Sequence, residues 1–398
     1  MKKLIFILLA IFLGVRSEAR GLPRYPFVRT EASCIQRPAG TSPDFDLFLS
    51  KLDTLLQSGR GDVRILHVGG SHVQGGTWTD RLRQRFLSLR YGIDGGRGLV
   101  FPYACAGTNT PVSYTTSYTG SWDGCTCVKP DRVLGLTGAA ATARDTSARF
   151  VIDLLPHGPR VLQQRYVFNR VDILGEGDME PVLLLSTRDT LRGVTAAGIT
   201  HFDLPWYRDW IQVGFRGPAG RYTVKGVYLD RNNTGFTLCE AGINGASTRS
   251  WLNCDDWEAD LTRVCPDLVI FSIGINDIQG TEFDVDRFKS RYRQLIKAVR
   301  RVNPHCAILM GGINDSARRR GAVNPYTAEA ERAFEELAAE CKGVFWDMYQ
   351  VMGGEGSIAR WQEAGLAQTD GVHFTADGYK LLGDLLFDAI MDDYYGQR

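Results

Sequence analysis

Three residues whose side chains can together hydrolyse an ester lie far apart in this chain. Ser71 follows a short apolar run and two glycines, whereas Asp370 and His373 lie near the C-terminus, three residues apart. Ester hydrolysis of this kind needs a nucleophile, a base that takes its proton and a group that holds the base. We predict that Ser71 is the nucleophile and that His373 is the general base and later the acid. Asp370 is predicted to fix the tautomer of the imidazole and to stabilise its charged form.

The same reaction needs hydrogen-bond donors for the oxyanion that develops on the substrate. We predict three donors: the backbone N–H of Ser71, the backbone N–H of Gly245 and the side-chain amide of Asn276. Gly242 and Gly245 flank the end of one predicted strand, and Asn276 follows the end of another.

Each of these residues also has a structural interpretation. A Gly-Gly-Ser turn alone is structural more often than catalytic. Gly245 fits a plain turn glycine, and Asn276 fits a helix cap. Asp370 and His373 alone fit a carboxylate at a helix N-terminus beside a surface histidine. Asp277 is interpreted as structural.

The surrounding elements place these residues at one edge of a sheet. Residues 63–68 form a predicted strand that leads to Ser71, and residues 268–273 form another that leads to Asn276. Beyond residue 235, strands alternate with helices, which predicts a parallel sheet covered by helices on both faces. Open sheets of this kind bind ligands at the carboxyl ends of their strands. The predicted helices start at Pro43, with Ser42 as N-cap, and continue with residues 78–89, 257–264, 285–302, 327–340 and 376–394.

From residue 101 to about residue 234 the helical periodicity fades and short β-like runs take its place. These runs are residues 150–155, 164–171, 181–186, 210–215 and 222–229, with turn signals between them. They predict an inserted β-sandwich. The predicted division is a signal peptide at 1–19, an N-terminal arm at 20–42, a hydrolase domain at 43–100 and 235–398, and a β-rich, carbohydrate-binding-like insert at 101–234.

Ser71, Gly245, Asn276 and His373 resemble, in this order, the four sequence blocks of the SGNH (GDSL-type) hydrolases. This resemblance implies a flavodoxin-like, three-layer α/β/α fold with a parallel sheet. It also implies a serine esterase that works through an acyl-enzyme, with no metal and no organic cofactor.

A narrower resemblance rests on the Gly-x-Ser-His sequence around Ser71, an exported chain and a β insert between the first two blocks. These features are similar to bacterial peptidoglycan O-acetylesterases, in which the insert resembles a carbohydrate-binding module. The resemblance implies an acetylated glycan as substrate and removal of O-acetyl groups from a polysaccharide, here expected to be peptidoglycan.

Gly70 departs from the Gly-Asp-Ser that is common in the first block. In the family, this aspartate supports the loop and is not a member of the triad. Because Gly70 replaces it here, the sequence does not establish how rigid the loop is. Two alternatives remain: a lipase or thioesterase of the same superfamily, and a non-catalytic glycan-binding protein that uses the β insert.

The composition and the N-terminal segment limit which compartment and which partners we expect for the protein. The 398 residues carry 46 basic and 45 acidic side chains, and this balance favours neither nucleic acid nor an anionic membrane as partner. Residues 1–15 combine a basic start with a short apolar core, and Ala19 ends a set of small residues. We predict a signal peptide cleaved after Ala19, no membrane span afterwards, and a periplasmic or secreted monomer.

The nine cysteines predict disulfides in an exported chain, with at least one cysteine left unpaired. Cys306 and Cys341 each open a predicted strand and are our candidate pair. Cys125 and Cys127 are too closely spaced for a zinc site, and no histidine follows at a suitable distance.

The remaining histidines and aromatics have weaker functional interpretations. His67 lies inside a predicted buried strand and is expected to be a core residue. His72 adjoins Ser71 and can line the pocket, but its position makes it an unsuitable base for Ser71. Five tryptophans are candidates for stacking on sugars, although aromatic residues belong more often to a core. They are Trp78, Trp122, Trp206, Trp210 and Trp251.

Overall fold

The computed structural model describes residues 25–157, 164–231, 234–318 and 321–396. The predicted signal peptide, residues 1–19, lies outside the described residues. The described part of the N-terminal arm packs against the end of the chain. Ser33 donates a hydrogen bond to the carbonyl oxygen of Leu385 (3.0 Å), and Gln36 forms a bridge with Phe345.

Helices and strands alternate in the first and last parts of the chain, whereas the middle is almost entirely strand. The helices are α1 (Pro43–Ser58), α2 (Ser71–Gln74), α3 (Thr77–Leu87), α4 (Thr248–Trp251), α5 (Trp257–Val264), α6 (Val285–Val302), α7 (Thr327–Glu340), α8 (Met348–Met352), α9 (Ser357–Glu363) and α10 (Ala376–Gly396). The strands are β1 (Val63–Gly69), β2 (Gly98–Val100), β3 (Tyr114–Thr119), β4 (Trp122–Thr126), β5 (Ala139–Ala143), β6 (Arg149–Leu154), β7 (Pro156–His157), β8 (Gln164–Arg165), β9 (Phe168–Gly177), β10 (Glu180–Leu184), β11 (Thr190–Arg192), β12 (Val194–Ala196), β13 (Ile199–Arg208), β14 (Trp210–Arg216), β15 (Tyr222–Asp230), β16 (Phe236–Gly242), β17 (Leu268–Ser272), β18 (Ala307–Met310) and β19 (Val344–Phe345).

Five of these strands form a parallel sheet in the order β16-β1-β17-β18-β19. Its strands are buried apolar runs, as expected for a sheet with both faces covered. Successive side chains of a strand point to opposite faces, so Ile65 joins one hydrophobic cluster and Leu66 the other. Helices α1, α3 and α10 supply the cluster around Ile65, and α5, α6 and α7 supply the cluster around Leu66.

The middle of the chain forms two larger antiparallel sheets. One has the order β11-β10-β14-β6-β3, and the other has the order β12-β13-β9-β15-β5-β4, with β2 also paired to β15. Side chains of the two sheets meet where the Trp122 ring contacts Phe150 and Phe215, with ring centres 5.9 and 5.8 Å away. Phe150 belongs to the same cluster as Leu66. The antiparallel sheets therefore share a core with one face of the parallel sheet.

These sheets confirm the predicted mixed α/β fold, and the antiparallel pair agrees with an inserted β domain. Several strands were not predicted, among them β3 and β5. Strand β3 is a run of Tyr, Thr and Ser that is largely exposed, and β5 is a run of Ala and Thr that is buried. Neither alternates apolar and polar side chains, and tertiary packing decides such strands.

The start of α1 at Pro43 agrees with its prediction, and so does the position of Ser42 immediately before it. Ser42 lies at the N-cap position without a side-chain capping hydrogen bond. Its hydroxyl instead donates to the carbonyl oxygen of Lys342 (2.8 Å), a partner 300 residues away that local sequence does not indicate.

The predicted disulfides are also corrected by the structure. All nine cysteines lie within the described ranges, and all nine are free thiols. Cys306 and Cys341, our candidate pair, each direct the thiol to a carbonyl oxygen close by in their own segment, that of Ala307 (3.5 Å) and that of Ala338 (3.7 Å).

Within the described ranges, no helix is both long enough and apolar enough to cross a membrane. The same ranges contain no group of three or more His, Cys, Asp or Glu residues placed to hold a metal ion.

Candidate active site

The carboxyl ends of three neighbouring strands are level with one another. Gly69 of β1 pairs with Gly242 of β16 on one side and with Ser272 of β17 on the other. The segments that follow these strands begin α2 at Ser71 and form the loops that carry Gly245 and Asn276. The sheet register thus brings residues of three distant segments to one edge.

Gly69 permits the sharp turn between β1 and α2. A β-carbon at this position would lie 2.3 Å from Cγ2 of Val73, so only glycine allows the helix to fold back so closely. The carbonyl oxygen of Gly69 accepts a hydrogen bond from the indole N–H of Trp251 (3.2 Å). The turn is therefore fixed from the side of α4.

Ser71, His373 and Asp370 form a continuous hydrogen-bonded chain. Ser71 Oγ lies 2.8 Å from His373 Nε2, and His373 Nδ1 lies 2.6 Å from Asp370 Oδ2. The second carboxylate oxygen of Asp370 accepts the backbone N–H groups of Val372 and His373, both at 2.9 Å. A carboxylate held on both oxygens can orient the imidazole and fix its tautomer.

The environment keeps Asp370 ionised while leaving the site open to substrate. Burial alone would raise the pKa of Asp370, but hydrogen bonds from the backbone and the imidazole of His373 outweigh burial and lower it. The side chains of Asp370 and His373 are 46% and 34% exposed. A carboxylate and an imidazole are thus presented together at the surface.

The backbone N–H groups of Ser71 and Gly245 are both available. Among the described residues, neither is joined to an acceptor. Gly245 adopts a positive φ of 76°, a conformation that other residues rarely take. Two free N–H groups at the edge of a sheet are the usual components of an oxyanion hole.

Asn276 is already engaged by one of its two amide hydrogens. Its Nδ2 atom donates to the carbonyl oxygen of Ala246 (2.9 Å). A β-carbon at Gly70 would lie only 3.3 Å from the same Nδ2 atom. The amide of Asn276 therefore occupies the space beside Gly70, and its second hydrogen remains for another acceptor.

Asp277 has the structural position that we predicted. Its carboxylate accepts hydrogen bonds from the backbone N–H (3.0 Å) and the hydroxyl (2.6 Å) of Thr248, the first residue of α4.

The two other histidines near the sheet edge are buried, uncharged residues that bond to neighbouring hydroxyl groups. His67 is buried between the hydroxyls of Ser272 (3.0 Å) and Thr79 (3.2 Å), and burial lowers its pKa to about 3. It is a core residue, as predicted. His72 bonds through Nδ1 to the hydroxyl of Tyr379 (2.8 Å), and its ring centre lies 5.2 Å from that of His373. Burial, followed by the neighbouring His373, lowers the pKa of His72 to about 3.

Gln74 and Tyr379 were not identified from the sequence. Gln74 lies one turn after Ser71 on the short helix α2, and its buried side chain contacts two other segments. Its position three residues after the serine, on the same helix face, is the signal that would have found it. For Tyr379 the sequence offers no such signal.

The predicted tryptophans separate into two groups. Trp78 and Trp251 are buried core residues, the more frequent of the two interpretations given above, and are no longer candidates for stacking on sugars. Trp122 is half-buried between the antiparallel sheets. Trp206 is 55% exposed and Trp210 is 37% exposed.

Part of the chain that includes most of the candidate site matches a known protein family. Residues 208–381 match the model of the GDSL-like lipase/acylhydrolase family. This chain contains a GDSL-like lipase/acylhydrolase domain. The matched segment of the domain includes Gly245, Asn276, Asp370 and His373 but not Ser71, which the structure places 2.8 Å from His373. The protein is accordingly a carboxylic ester hydrolase of the SGNH superfamily.

The fold is shared with a solved structure, and two further structures are similar to part of the chain. A peptidoglycan O-acetylesterase is 22% identical to this chain, with a TM-score of 0.73 over 90% of this chain and 97% of that chain. A lipase/acylhydrolase from Enterococcus faecalis is 21% identical, with a TM-score of 0.32 over 40% of this chain and 77% of that chain. The acetyl xylan esterase AlAXEase is 19% identical, with a TM-score of 0.31 over 39% of this chain and 81% of that chain. No curated protein matches the sequence.

Proposed function

We propose that this protein is an exported serine esterase that removes O-acetyl groups from a polysaccharide, and that this polysaccharide is peptidoglycan. The observation that carries the proposal is the continuous contact from Ser71 Oγ through the His373 imidazole to Asp370, at 2.8 and 2.6 Å. Nucleophile, base and orienting carboxylate are then already within the distances that acyl transfer requires.

Acylation follows from these contacts. The hydroxyl oxygen of Ser71 attacks the acetyl carbonyl carbon while its proton moves to His373 Nε2, and Asp370 stabilises the imidazolium that results. The backbone N–H groups of Ser71 and Gly245 donate to the oxyanion, together with the second amide hydrogen of Asn276. When the tetrahedral intermediate collapses, His373 returns the proton to the sugar oxygen, which leaves as the free hydroxyl.

Deacylation repeats the same steps with water. His373 takes a proton from the water as the water oxygen attacks the acetyl-serine carbonyl carbon. The intermediate expels the Ser71 oxygen, which regains its proton from His373, and acetate is released. Burial keeps His72 neutral, so this neighbour adds no positive charge beside His373 when the imidazole is protonated.

The glycan substrate is supported by the whole-chain likeness to a peptidoglycan O-acetylesterase and by the exposed aromatics of the antiparallel sheets. Trp206 and Trp210 flank the guanidinium of Arg208, whose central carbon lies 5.7 and 5.3 Å from their ring centres. Indole faces of this kind stack on sugar rings. The antiparallel sheets, residues 101–234 in our division, would then hold the polymer while residues 43–100 and 235–398 perform the chemistry.

The test is acetate release from O-acetylated peptidoglycan, alongside hydrolysis of p-nitrophenyl acetate. We expect both activities in the wild type and a loss of at least about a thousandfold in Ser71→Ala, since the nucleophile is removed. Ser88→Ala, at an exposed serine after α3, is the matched control and should keep full activity.

Three outcomes would point elsewhere. Undiminished hydrolysis by Ser71→Ala would exclude the serine mechanism. No hydrolysis of either substrate by the wild type would favour a non-catalytic glycan-binding protein. A steady rise in rate from acetate to decanoate esters would indicate the lipase or thioesterase alternative.

A further inference from the structure

Gln74 connects three segments that meet behind the candidate active site. Its side-chain oxygen accepts the backbone N–H of Asn244 at 2.5 Å. Its side-chain nitrogen donates to the hydroxyl of Thr108 at 3.1 Å and to the carbonyl oxygen of Asn109 at 2.8 Å. Gln74 is almost completely buried, at 1% exposure. All three partners are uncharged residues.

The chemistry of the partners fixes the orientation of this amide. An N–H group must face the amide oxygen, and a carbonyl oxygen must face the amide nitrogen. If the amide of Gln74 were reversed, its nitrogen would face the N–H of Asn244 and its oxygen would face the carbonyl of Asn109. Both contacts would then be repulsive, so only the observed orientation is stable.

The position of Gln74 links it to the nucleophile and to the oxyanion loop at once. Gln74 lies on the same single-turn helix as Ser71, and its partner Asn244 directly precedes Gly245. A β-carbon at Gly242 would lie 2.3 Å from the backbone nitrogen of Gln74, so helix and strand end are in direct contact at this point. The amide of Gln74 therefore joins the helix of Ser71 to the residue that precedes Gly245.

The antiparallel region contacts Gln74 through the loop that contains Thr108 and Asn109. This loop is also fixed by the backbone N–H of Val112, which donates to the carbonyl oxygen of Gly75 at 3.2 Å. Because that second contact does not involve the side chain of Gln74, the loop can stay in place when the side chain is changed.

We propose that Gln74 is a positioning residue, which holds the Ile243–Asn244 peptide, thereby orients the adjoining N–H of Gly245 for the oxyanion, and couples this segment to the loop of residues 108–109. The proposal rests on the proposed esterase function. Gln74 touches neither the substrate nor the reacting atoms. Its contribution therefore belongs to the transition state, and its loss should lower kcat and leave KM almost unchanged.

The experiment compares two substitutions of Gln74 with p-nitrophenyl acetate as substrate. Gln74→Leu keeps the approximate size of the side chain and removes both the hydrogen bond that it accepts from Asn244 and those that it donates to Thr108 and Asn109. We expect its kcat to fall on the order of tenfold to a hundredfold, within the range seen when an oxyanion donor is lost or misplaced. KM should change less than about twofold, since ground-state binding is not affected.

Gln74→Glu gives a pH signature that a purely structural role would not produce. The protonated carboxyl can accept from Asn244 and donate to Asn109, as the amide does, whereas the ionised carboxylate repels the carbonyl oxygen of Asn109. The ratio of variant to wild-type kcat should therefore be close to one at low pH and decrease as the pH rises.

Gln84→Leu is the matched control, because within the described part of the chain the side chain of Gln84 bonds to Asp80 alone, in the helix α3 that it occupies. It should retain wild-type kcat. If Gln74→Leu keeps wild-type kcat, or if the kcat ratio of Gln74→Glu does not change with pH, the positioning role is excluded. The second criterion decides the matter even if Gln74→Leu does not fold. Failure of the esterase proposal is distinct, because the wild type would then show no activity that depends on Ser71.

Discussion

The parallel sheet and the antiparallel sheets contribute different things to the candidate site. Ser71, Gly245 and Asn276 all follow strands of the parallel sheet, and Asp370 and His373 precede the helix α10 that packs on it. The antiparallel region provides the loop that holds Gln74, together with an exposed aromatic surface. The candidate catalytic groups thus lie at the carboxyl edge of one sheet, and the second region contacts that edge and extends its surface.

Buried polar contacts join the two regions. Arg97, which precedes β2, forms an ion pair with Glu240 of β16, and both side chains are almost fully buried. Asp260 of α5 accepts the backbone N–H of Leu136 at 2.8 Å. Such contacts require both partners in place, because an unpaired buried charge is strongly destabilising. The antiparallel sheets are therefore anchored to the parallel sheet by specific pairs as well as by a shared core.

The largest effect is expected for a change that removes function from the parallel region and leaves both regions folded. In Asp370→Asn an amide replaces the carboxylate that contacts His373 Nδ1 at 2.6 Å. The imidazole then loses its preferred tautomer and the charge that stabilises its protonated form. We expect kcat for p-nitrophenyl acetate to fall by about a hundredfold to ten-thousandfold, with a melting temperature close to that of the wild type.

Asp377→Asn is the matched control for this prediction. Asp377 lies one residue after the start of α10, and among the described residues its exposed carboxylate bonds to Lys380 alone, at 3.2 Å. It should retain full activity. Equal activity of the two variants would show that the reaction does not use the carboxylate of Asp370.

The sequence was sufficient for the residues that follow regular elements. Ser71 follows a strand and begins a helix, and Asp370 and His373 precede a long amphipathic helix, so each element boundary placed its residue. The register Gly69–Gly242 then set the strand ends level. The element boundaries depend on local periodicity, which a single sequence displays directly.

The sequence was insufficient where a residue depends on a distant partner. The role of Gln74 requires the loop at Thr108 and Asn109 to lie beside it, which no local pattern indicates. The buried strand Ala139–Ala143 has the composition of a helix. It is a strand because Val224 and its neighbours in β15 pair with it on one side and β4 on the other.

The second prediction concerns the contact between the regions. Burial raises the pKa of Asp260 to about 6, against the opposing effects of Leu136 and Lys225. The folded protein therefore binds this proton more tightly than the unfolded chain, and stability decreases as the pH rises from about 4 through 6. Asp260→Asn keeps an oxygen for Leu136 and removes the titration. We expect a free energy of unfolding similar to wild type at pH 4 and higher by about 1–3 kcal/mol at pH 8.

Urea unfolding at the two pH values measures this difference. Asp255→Asn, at an exposed carboxylate nearby, is the control and should not change the pH dependence. A difference between Asp260→Asn and wild type that is the same at pH 4 and pH 8 would contradict the prediction.

The smallest effect is expected on the exposed aromatic surface, and it separates binding from chemistry. Changing both Trp206 and Trp210 to alanine removes two indole faces, which are 55% and 37% exposed, without opening the core. Because each stacking contact at such an exposed site is worth about 0.5 kcal/mol, the two together contribute about 1 kcal/mol, and KM for O-acetylated peptidoglycan should rise about threefold to tenfold. Hydrolysis of p-nitrophenyl acetate, which is too small to span both regions, should stay at the wild-type rate.

Tyr91→Ala, at a 96% exposed aromatic after α3, controls for the loss of an exposed ring and should leave the hydrolysis of both substrates unchanged. An equal loss on both substrates would mean that these tryptophans act on the reaction rather than on the polymer, and the separation between the two regions would not hold.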